Sequence, residues 1–275
     1  MALHQLELSW IHKLQAALRG PFTDTFFIYW NYVDTIWFTL IFVAAIMCLF
    51  NRKEGTSLLF ILIISGIVNT VLKNTFLLPR PCHLDPSVGI LCYSSFGFPS
   101  GAAQTATIIA GAAFAKCHRN SLKILAGIFA LFLCFSRVYL GLHFFTDILG
   151  GIAVGMGLLV IYLKLFPLLE KHWAKVGFGL SLLILLLGGE KMFYQAGLLL
   201  GLGAGFLLAK QSKVASKWTI RVLTFLIVVL GSMSFVYLGE SYPFLKYPAI
   251  VFAGFWFSYL GNQLVYYCCN RLKIL

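Results

Sequence analysis

Lys73-Asn-Thr-Phe-Leu-Leu-Pro-Arg80-Pro81, then Phe98-Pro99-Ser100-Gly101-Ala102, then Ser136-Arg137 followed by His143 and Asp147: three polar islands break an otherwise apolar sequence. The 275-residue chain is 60% hydrophobic and 11% charged. A soluble domain carries about 25% charged residues. Long apolar runs recur along most of the length, so the expected class is all-α, a polytopic transmembrane helical bundle. Hydrocarbon leaves backbone polar groups no partner except the helix itself, which excludes open sheets and dinucleotide folds.

Working outward from the islands, apolar spans are expected at 35–50, 57–73, 101–116, 121–136 and 146–166, then at 177–189, 193–209, 222–238 and 246–269. Residues 21–34 are aromatic and read as a partial or re-entrant span. Residues 2–19 place Leu3, Leu6, Trp10, Ile11, Leu14 and Leu18 roughly on one face and read as a helix in the membrane interface. No basic region leads into an apolar stretch and a small-residue cleavage site, so no cleavable signal is expected. The organisation that follows is an interfacial N-terminal segment over 1–34, a core of five to six helices over 35–166, and about four extra spans over 168–275.

The net charge of +12 suggests nucleic acid only until its placement is read. Arg52 and Lys53; Lys116, Arg119 and Lys123; Lys164, Lys171 and Lys175; Lys210, Lys213, Lys217 and Arg221; and Arg271 and Lys273 fall at one set of span ends. Lys73, Arg80, Arg137, Lys191 and Lys246 fall at the other. The richer side is expected to be cytoplasmic, which puts all three islands at the outer face. No basic run is interleaved with stacking aromatics, and no nucleic-acid partner is expected. Gly197, Gly201 and Gly205, like Gly151 and Gly155, are spaced four apart, which suits close helix packing or a homodimer.

Each island carries chemistry. His143 and Asp147 share a helix face. A carboxylate on one imidazole nitrogen leaves the other free as base or nucleophile. Taken as an isolated pair, they read more readily as a hydrogen-bonded helix start. Arg137, Arg80 and Lys73 are the cations that hold a phosphoryl group, although a lone Lys73 reads as a snorkelling rim residue. Pro99-Ser100-Gly101 opens a helix whose free amides favour an anion, with Ser100 adding a hydroxyl.

In this order, Lys-x6-Arg-Pro, Pro-Ser-Gly and Ser-Arg-x5-His-x3-Asp resemble the type-2 phosphatidic acid phosphatase family, which belongs with the vanadium haloperoxidases and bacterial acid phosphatases. The resemblance covers roughly residues 30–166. It implies a lipid phosphatase with His143 as nucleophile, forming a phosphohistidine, and Asp147 orienting it. It implies phosphate binding by Lys73, Arg80, Ser100, Gly101 and Arg137, with no metal and no cofactor. The family's second motif reads Pro-Ser-Gly-His, and its histidine protonates the leaving group. Here that position is Ala102. General acid catalysis is worth about 10²–10⁴-fold, which leaves three readings: a diphosphate lipid whose leaving group needs less help, another donor such as His83, or a form that binds lipid phosphate without turnover. A phosphotransferase using the same residues is a further alternative. Cys82 and Cys92 share the outer loop, where an oxidising compartment lets them pair. The expected partners are a lipid phosphate and the bilayer, and the expected place is the cytoplasmic membrane with the site facing outward.

Overall fold

The structure, a computed structural model, describes residues 2–169, 172–187, 190–208, 215 and 217–271. Lys171, Lys210, Lys213 and Lys273 of the charge pattern lie outside the described residues. Within them the chain is helical and has no strand. The elements are α1 (Ala2–Leu18), α2 (Pro21–Trp30) with a 3₁₀ turn (Asn31–Asp34), α3 (Ile36–Ala45), α4 (Arg52–Phe76), the short α5 (Pro81–Leu84), α6 (Gly101–Lys116), α7 (Asn120–Tyr139), α8 (Phe145–Leu169), α9 (Trp173–Leu187), α10 (Glu190–Leu208), α11 (Trp218–Ser241), α12 (Lys246–Phe255) and α13 (Gly261–Arg271).

Among the described residues, four helical stretches are long and apolar enough to cross a membrane: Arg52–Leu84, Asn120–Tyr139, Phe145–Leu165 and Trp218–Ser241. A fifth candidate is the bent pair Pro21–Asp34 and Ile36–Phe50, broken by 63°. That is the partial span expected at 21–34, continued into its neighbour. The expected spans at 177–189 and 193–209 form the shorter apolar helices Ala174–Leu186 and Met192–Leu208. The one expected at 246–269 is divided into α12, a π-helical turn over Trp256–Leu260 and α13.

By contacts the chain divides into two units. The first comprises residues 1–35 and 64–164, the second residues 36–63 and 165–275. Residues 36–63, expected with the N-terminal core, therefore group with the C-terminal part. The division falls inside the apolar run of α4, where periodicity carries no boundary.

In the first unit, α6, α7 and α8 run up and down. The start of α6, the end of α7 and the start of α8 consequently gather at one end, joined there by the last turn of α4. The approach of α8 to α6 depends on small residues. A β-carbon at Gly151 would overlap the Ser100 carbonyl, and one at Gly155 would stand 3.0 Å from the Gln104 carbonyl oxygen.

The amphipathic helix α1 divides its apolar residues between a face buried in the protein and one left exposed. Leu8 and Ile11 enter a core with Val88, Ala103, Val138, Phe144 and Ile148, while Leu3, Leu6, Trp10 and Leu18 stay exposed. Two polar residues decide the rotation. Glu7, fully buried, accepts from the Thr146 amide at 2.8 Å and its hydroxyl at 3.0 Å. A carboxylate at the start of α8 meets unpaired amides and the positive dipole end. Gln15 donates to the Val88 and Tyr139 carbonyls, both at 2.8 Å.

In the second unit, Gly201 and Gly205 face neighbours of the same chain. A β-carbon at Gly201 would overlap the Val251 carbonyl of α12, and one at Gly205 the Ser258 hydroxyl. The glycine face expected to pack or to dimerise is thus covered within the chain, because α12 lies close enough to fill it.

Candidate active site

Four helix ends, the start of α6 among them, and two loops converge at this end of the first unit. Arg137 occupies the last turn of α7, Lys73 the last turn of α4, and Asp147 the first turn of α8. His143 lies in the short α7–α8 connection. Gly141, at φ +71°, turns the chain there, and a side chain would collide with the Val88 carbonyl. The His143 and Leu142 amides both donate to the Arg137 carbonyl, at 3.2 and 3.0 Å. That closed turn fixes the His143 backbone against the last turn of α7.

Asp147 Oδ2 accepts from the Phe144 amide at 2.9 Å and lies 3.2 Å from His143 Nδ1. An acceptor already holding one N–H places the imidazole proton on Nδ1 and the lone pair on Nε2. That nitrogen is 3.2 Å from Arg80 Nη1, a group that only donates. His143 is 5% exposed. Burial, reinforced by Arg80, Lys73 and Arg137, pushes its pKa well below the ordinary histidine range. It is a neutral imidazole with its lone pair turned into a cluster of cations.

Arg80 is held on three sides. Nε donates to the Ser95 carbonyl at 2.6 Å, Nη2 to the Ser95 hydroxyl at 2.9 Å, and Nη1 to the Leu142 carbonyl at 2.8 Å. Its guanidinium carbon stands 5.5 Å from the Tyr93 ring centroid. Lys73 Nζ donates to the Phe96 carbonyl at 2.7 Å and, more weakly, to that of Gly97 at 3.4 Å. Gly97 admits no side chain: a β-carbon there would stand 2.9 Å from both Asp147 Oδ2 and the Pro79 carbonyl oxygen.

Arg137 differs from Arg80 in one respect that matters. Its Nη1 donates to Asn31 Oδ1 at 2.5 Å and lies 3.5 Å from Asp34 Oδ2. Its Nε and Nη2 are buried with no hydrogen-bond partner among the described residues. An unpaired buried donor costs about 1–3 kcal/mol, and more when charged. Two such donors on one side chain that is 2% exposed are available to an anion.

Ser100 is fully buried and caps α6, accepting from the Ala103 amide at 3.4 Å, while its own amide donates to the Asp147 carbonyl at 3.0 Å. That bond ties the second island to the third. Gly101 lies against Asn69, whose amide donates to the Pro99 carbonyl at 2.9 Å. Ala102 is 2% exposed and packs with Ala106 and Leu133, with Trp30 against them.

His83 sits apart from this convergence. Its Nδ1 faces the Arg80 amide at 3.3 Å and its Nε2 the Tyr93 carbonyl at 2.9 Å. With both ring nitrogens on backbone groups, it braces the loop that presents Arg80. Cys82 and Cys92 are disulfide-bonded beside it. His83 and these two sulfurs would suit a metal by proximity, but the disulfide takes up both thiolates.

The structure thus brings together Lys73, Arg80, Arg137, His143 and Asp147, with the α6 start carrying Ser100 and Gly101 joined on. Sequence reasoning missed Asn31, Asp34, Tyr93 and Ser95. Asn31 bridges the two arginines, since its amide nitrogen also donates to the Tyr93 hydroxyl at 2.7 Å. One signal was available for Asp34: it is among nine acidic residues in the chain and stands inside an aromatic span, where an ionisable group is costly.

Residues 54–171 match the profile described as the PAP2 superfamily. Phosphatidylglycerophosphatase B of Bacillus subtilis is 33% identical over 128 residues, 42% of this chain and 61% of the relative. A dihydrosphingosine 1-phosphate phosphatase of Saccharomyces cerevisiae is 30% identical over 159 residues, 53% of this chain and 39% of the relative. The lipid A 4'-phosphatase of Porphyromonas gingivalis is 29% identical over 174 residues, 57% of this chain and 71% of the relative. The crystal structure of Aquifex aeolicus LpxE is similar in fold, with a TM-score of 0.52, 24% identity, and coverage of 58% of this chain and 95% of that one.

Proposed function

From a chain whose residues 54–171 belong to the PAP2 superfamily, we propose an integral membrane phosphatase that removes phosphate from a phosphomonoester or diphosphate lipid through a phosphohistidine. The observation that carries this reading is the pair of orphaned donors on buried Arg137, within electrostatic reach of a His143 whose Nε2 faces Arg80 Nη1 at 3.2 Å.

The chemistry follows from the residues. Arg137 takes two phosphate oxygens with Nε and Nη2 in a fork. Arg80 and Lys73 neutralise the charge that builds up in the transition state, and the first amides of α6 face the same region. Displacing Arg80 Nη1 from Nε2 frees the His143 lone pair to attack phosphorus. Asp147 keeps the imidazole proton on Nδ1 and stabilises the positive ring. Water then cleaves the N–P bond and regenerates the imidazole.

The lipid tail has a path on the same segment that contacts Arg137. Phe22, Thr25, Phe26, Tyr29, Trp30 and Val33 line an open, almost wholly apolar groove of 340 Å³ on α2. Asn31 and Asp34 follow it directly. The charge pattern supports an outer-facing site in the cytoplasmic membrane, because the basic loops lie opposite the site's helix ends.

A second reading rests on Ala102. With no titratable side chain at that position, a diphosphate lipid, whose leaving phosphate is a weak base, is favoured over an alkyl monoester. Phosphoryl transfer to a second lipid headgroup uses the same residues and differs in the acceptor. The test is phosphate release from reconstituted protein across phosphatidic acid, phosphatidylglycerol phosphate, a polyprenyl diphosphate and lipid A, with His143→Ala as blank. Acid-labile phosphate on histidine in the wild type supports the reading. Turnover that survives His143→Ala overturns it.

A further inference from the structure

The missing family histidine leaves a specific gap, and what surrounds Ala102 identifies the segment that covers it. No neighbour on α6 offers an acid: Ala103 is apolar, and Gln104 is an amide whose oxygen receives the Ser65 hydroxyl at 3.3 Å. His83 has both nitrogens on backbone. Glu7 is committed to Thr146, and Asp147 to His143 and the Phe144 amide. The cluster that holds Ala102 is covered by α7, through Phe129, Ala130 and Cys134, none of them an acid, and by the end of α2, through Trp30. Four residues on, the same segment carries Asp34.

Asp34 Oδ2 is 3.5 Å from Arg137 Nη1, and the carboxylate is within electrostatic reach of Lys73 and Arg80 as well. It faces the three cations that the reading above gives to the phosphate. Its side chain is 29% exposed against 3% for Asp147, so water reaches it. A group that must exchange a proton in each cycle needs that access.

We propose that Asp34 is the general acid of this site, protonating the leaving oxygen where the family uses the histidine that Ala102 replaces. The proposal rests on the phosphohistidine reading. A phosphate dianion entering beside Asp34 favours its protonated form by charge repulsion. The His143 Nε2 lone pair forms the N–P bond. The P–O bond to the lipid breaks, its electron pair staying on the lipid oxygen, which takes the proton from the Asp34 carboxyl. In the second half, water attacks phosphorus and gives its proton to the Asp34 carboxylate. The N–P pair returns to Nε2, leaving hydrogen phosphate, a neutral imidazole and a recharged acid.

The assay uses the full chain in nanodiscs and two substrates with the same alkyl tail. One is an alkyl phosphate, whose leaving group is strongly basic; the other is a nitrophenyl phosphate, whose leaving group needs no proton. Asp34→Asn keeps the shape of the contact with Arg137. It is expected to cut kcat on the alkyl phosphate by about 10²–10⁴-fold, the usual worth of a general acid, and to change the nitrophenyl substrate less than about tenfold. Stabilisation by orthovanadate is expected to persist. Equal losses on both substrates, loss of the vanadate effect, or no loss at all each overturn the assignment. His143→Ala, run alongside, abolishes both reactions if the underlying reading holds. If it does not, that reading fails independently of the result with Asp34→Asn.

Discussion

Replacing Arg137 with methionine separates what this side chain does for the empty protein from what it does for the anion. In the empty protein, Nε and Nη2 are buried without partners, and each such donor costs about 1–3 kcal/mol. Against this stand the bond to Asn31 and the 3.5 Å contact with Asp34, the former worth about 1.5–3 kcal/mol as a charged hydrogen bond. The two sides nearly cancel or favour the variant, and a methionine of comparable length fills the space. With an anion bound, the same two donors become charged hydrogen bonds, together about 3–6 kcal/mol. At 1.4 kcal/mol per decade, orthovanadate or phosphate should bind about 10²–10⁴-fold more weakly. Thermal unfolding in detergent, with and without orthovanadate, reads both halves. The expected result is an unchanged or raised midpoint without ligand and no ligand-induced shift. A variant that melts well below wild type yet still responds to vanadate would refute the argument, because Arg137 would then be a structural residue.

Acid sensitivity should trace to His143. Its folded pKa lies below that of the unfolded chain, so the unfolded state takes up the proton first. The resulting stability is present above about pH 6.5 and is lost as pH falls below it. Unfolding midpoints of wild type should therefore drop more steeply between pH 7 and 5 than those of His143→Gln. Gly201→Ala should be poorly tolerated, because the new carbon meets the Val251 backbone, whereas Gly157→Ala, with open space around it, should gain up to about 1 kcal/mol from helix propensity; parallel melting curves compare the two. Removing the Cys82–Cys92 bond, whose sequence separation is 10, should cost about 2–3 kcal/mol by loop-closure entropy, with activity reduced through Arg80; a double serine variant that melts and turns over as wild type would contradict this. Glu7→Ala leaves the Thr146 amide and hydroxyl without their acceptor and should destabilise by about 2–4 kcal/mol, measured as a lower melting midpoint.

The residues to which the proposal gives the chemistry were legible because they are out of place. Lys73, Arg80, Arg137, His143 and Asp147 are charged or titratable groups in an apolar chain, and hydrocarbon penalises them unless they serve something. Their spacing also placed His143 and Asp147 on a shared face without coordinates. Asn31, Tyr93 and Ser95 escaped because neutral polar residues at a membrane rim carry no such penalty. Their role comes only from what they touch.

The membrane-embedded helical class and the gathering of three islands at one end follow from the sequence, since apolar runs leave the backbone only the helix in which to pair its polar groups and successive helices alternate in direction. Which face of α1 is buried, the partition of residues 36–63, and the covering of the Gly201 face by α12 were decided by tertiary structure. Each depends on a partner distant in sequence: an unpaired amide at Thr146 drawing Glu7 inward, or a backbone carbonyl at Val251 that only glycine can approach. Periodicity within a segment records that a face is apolar or small. It holds no record of which neighbour will arrive to cover it.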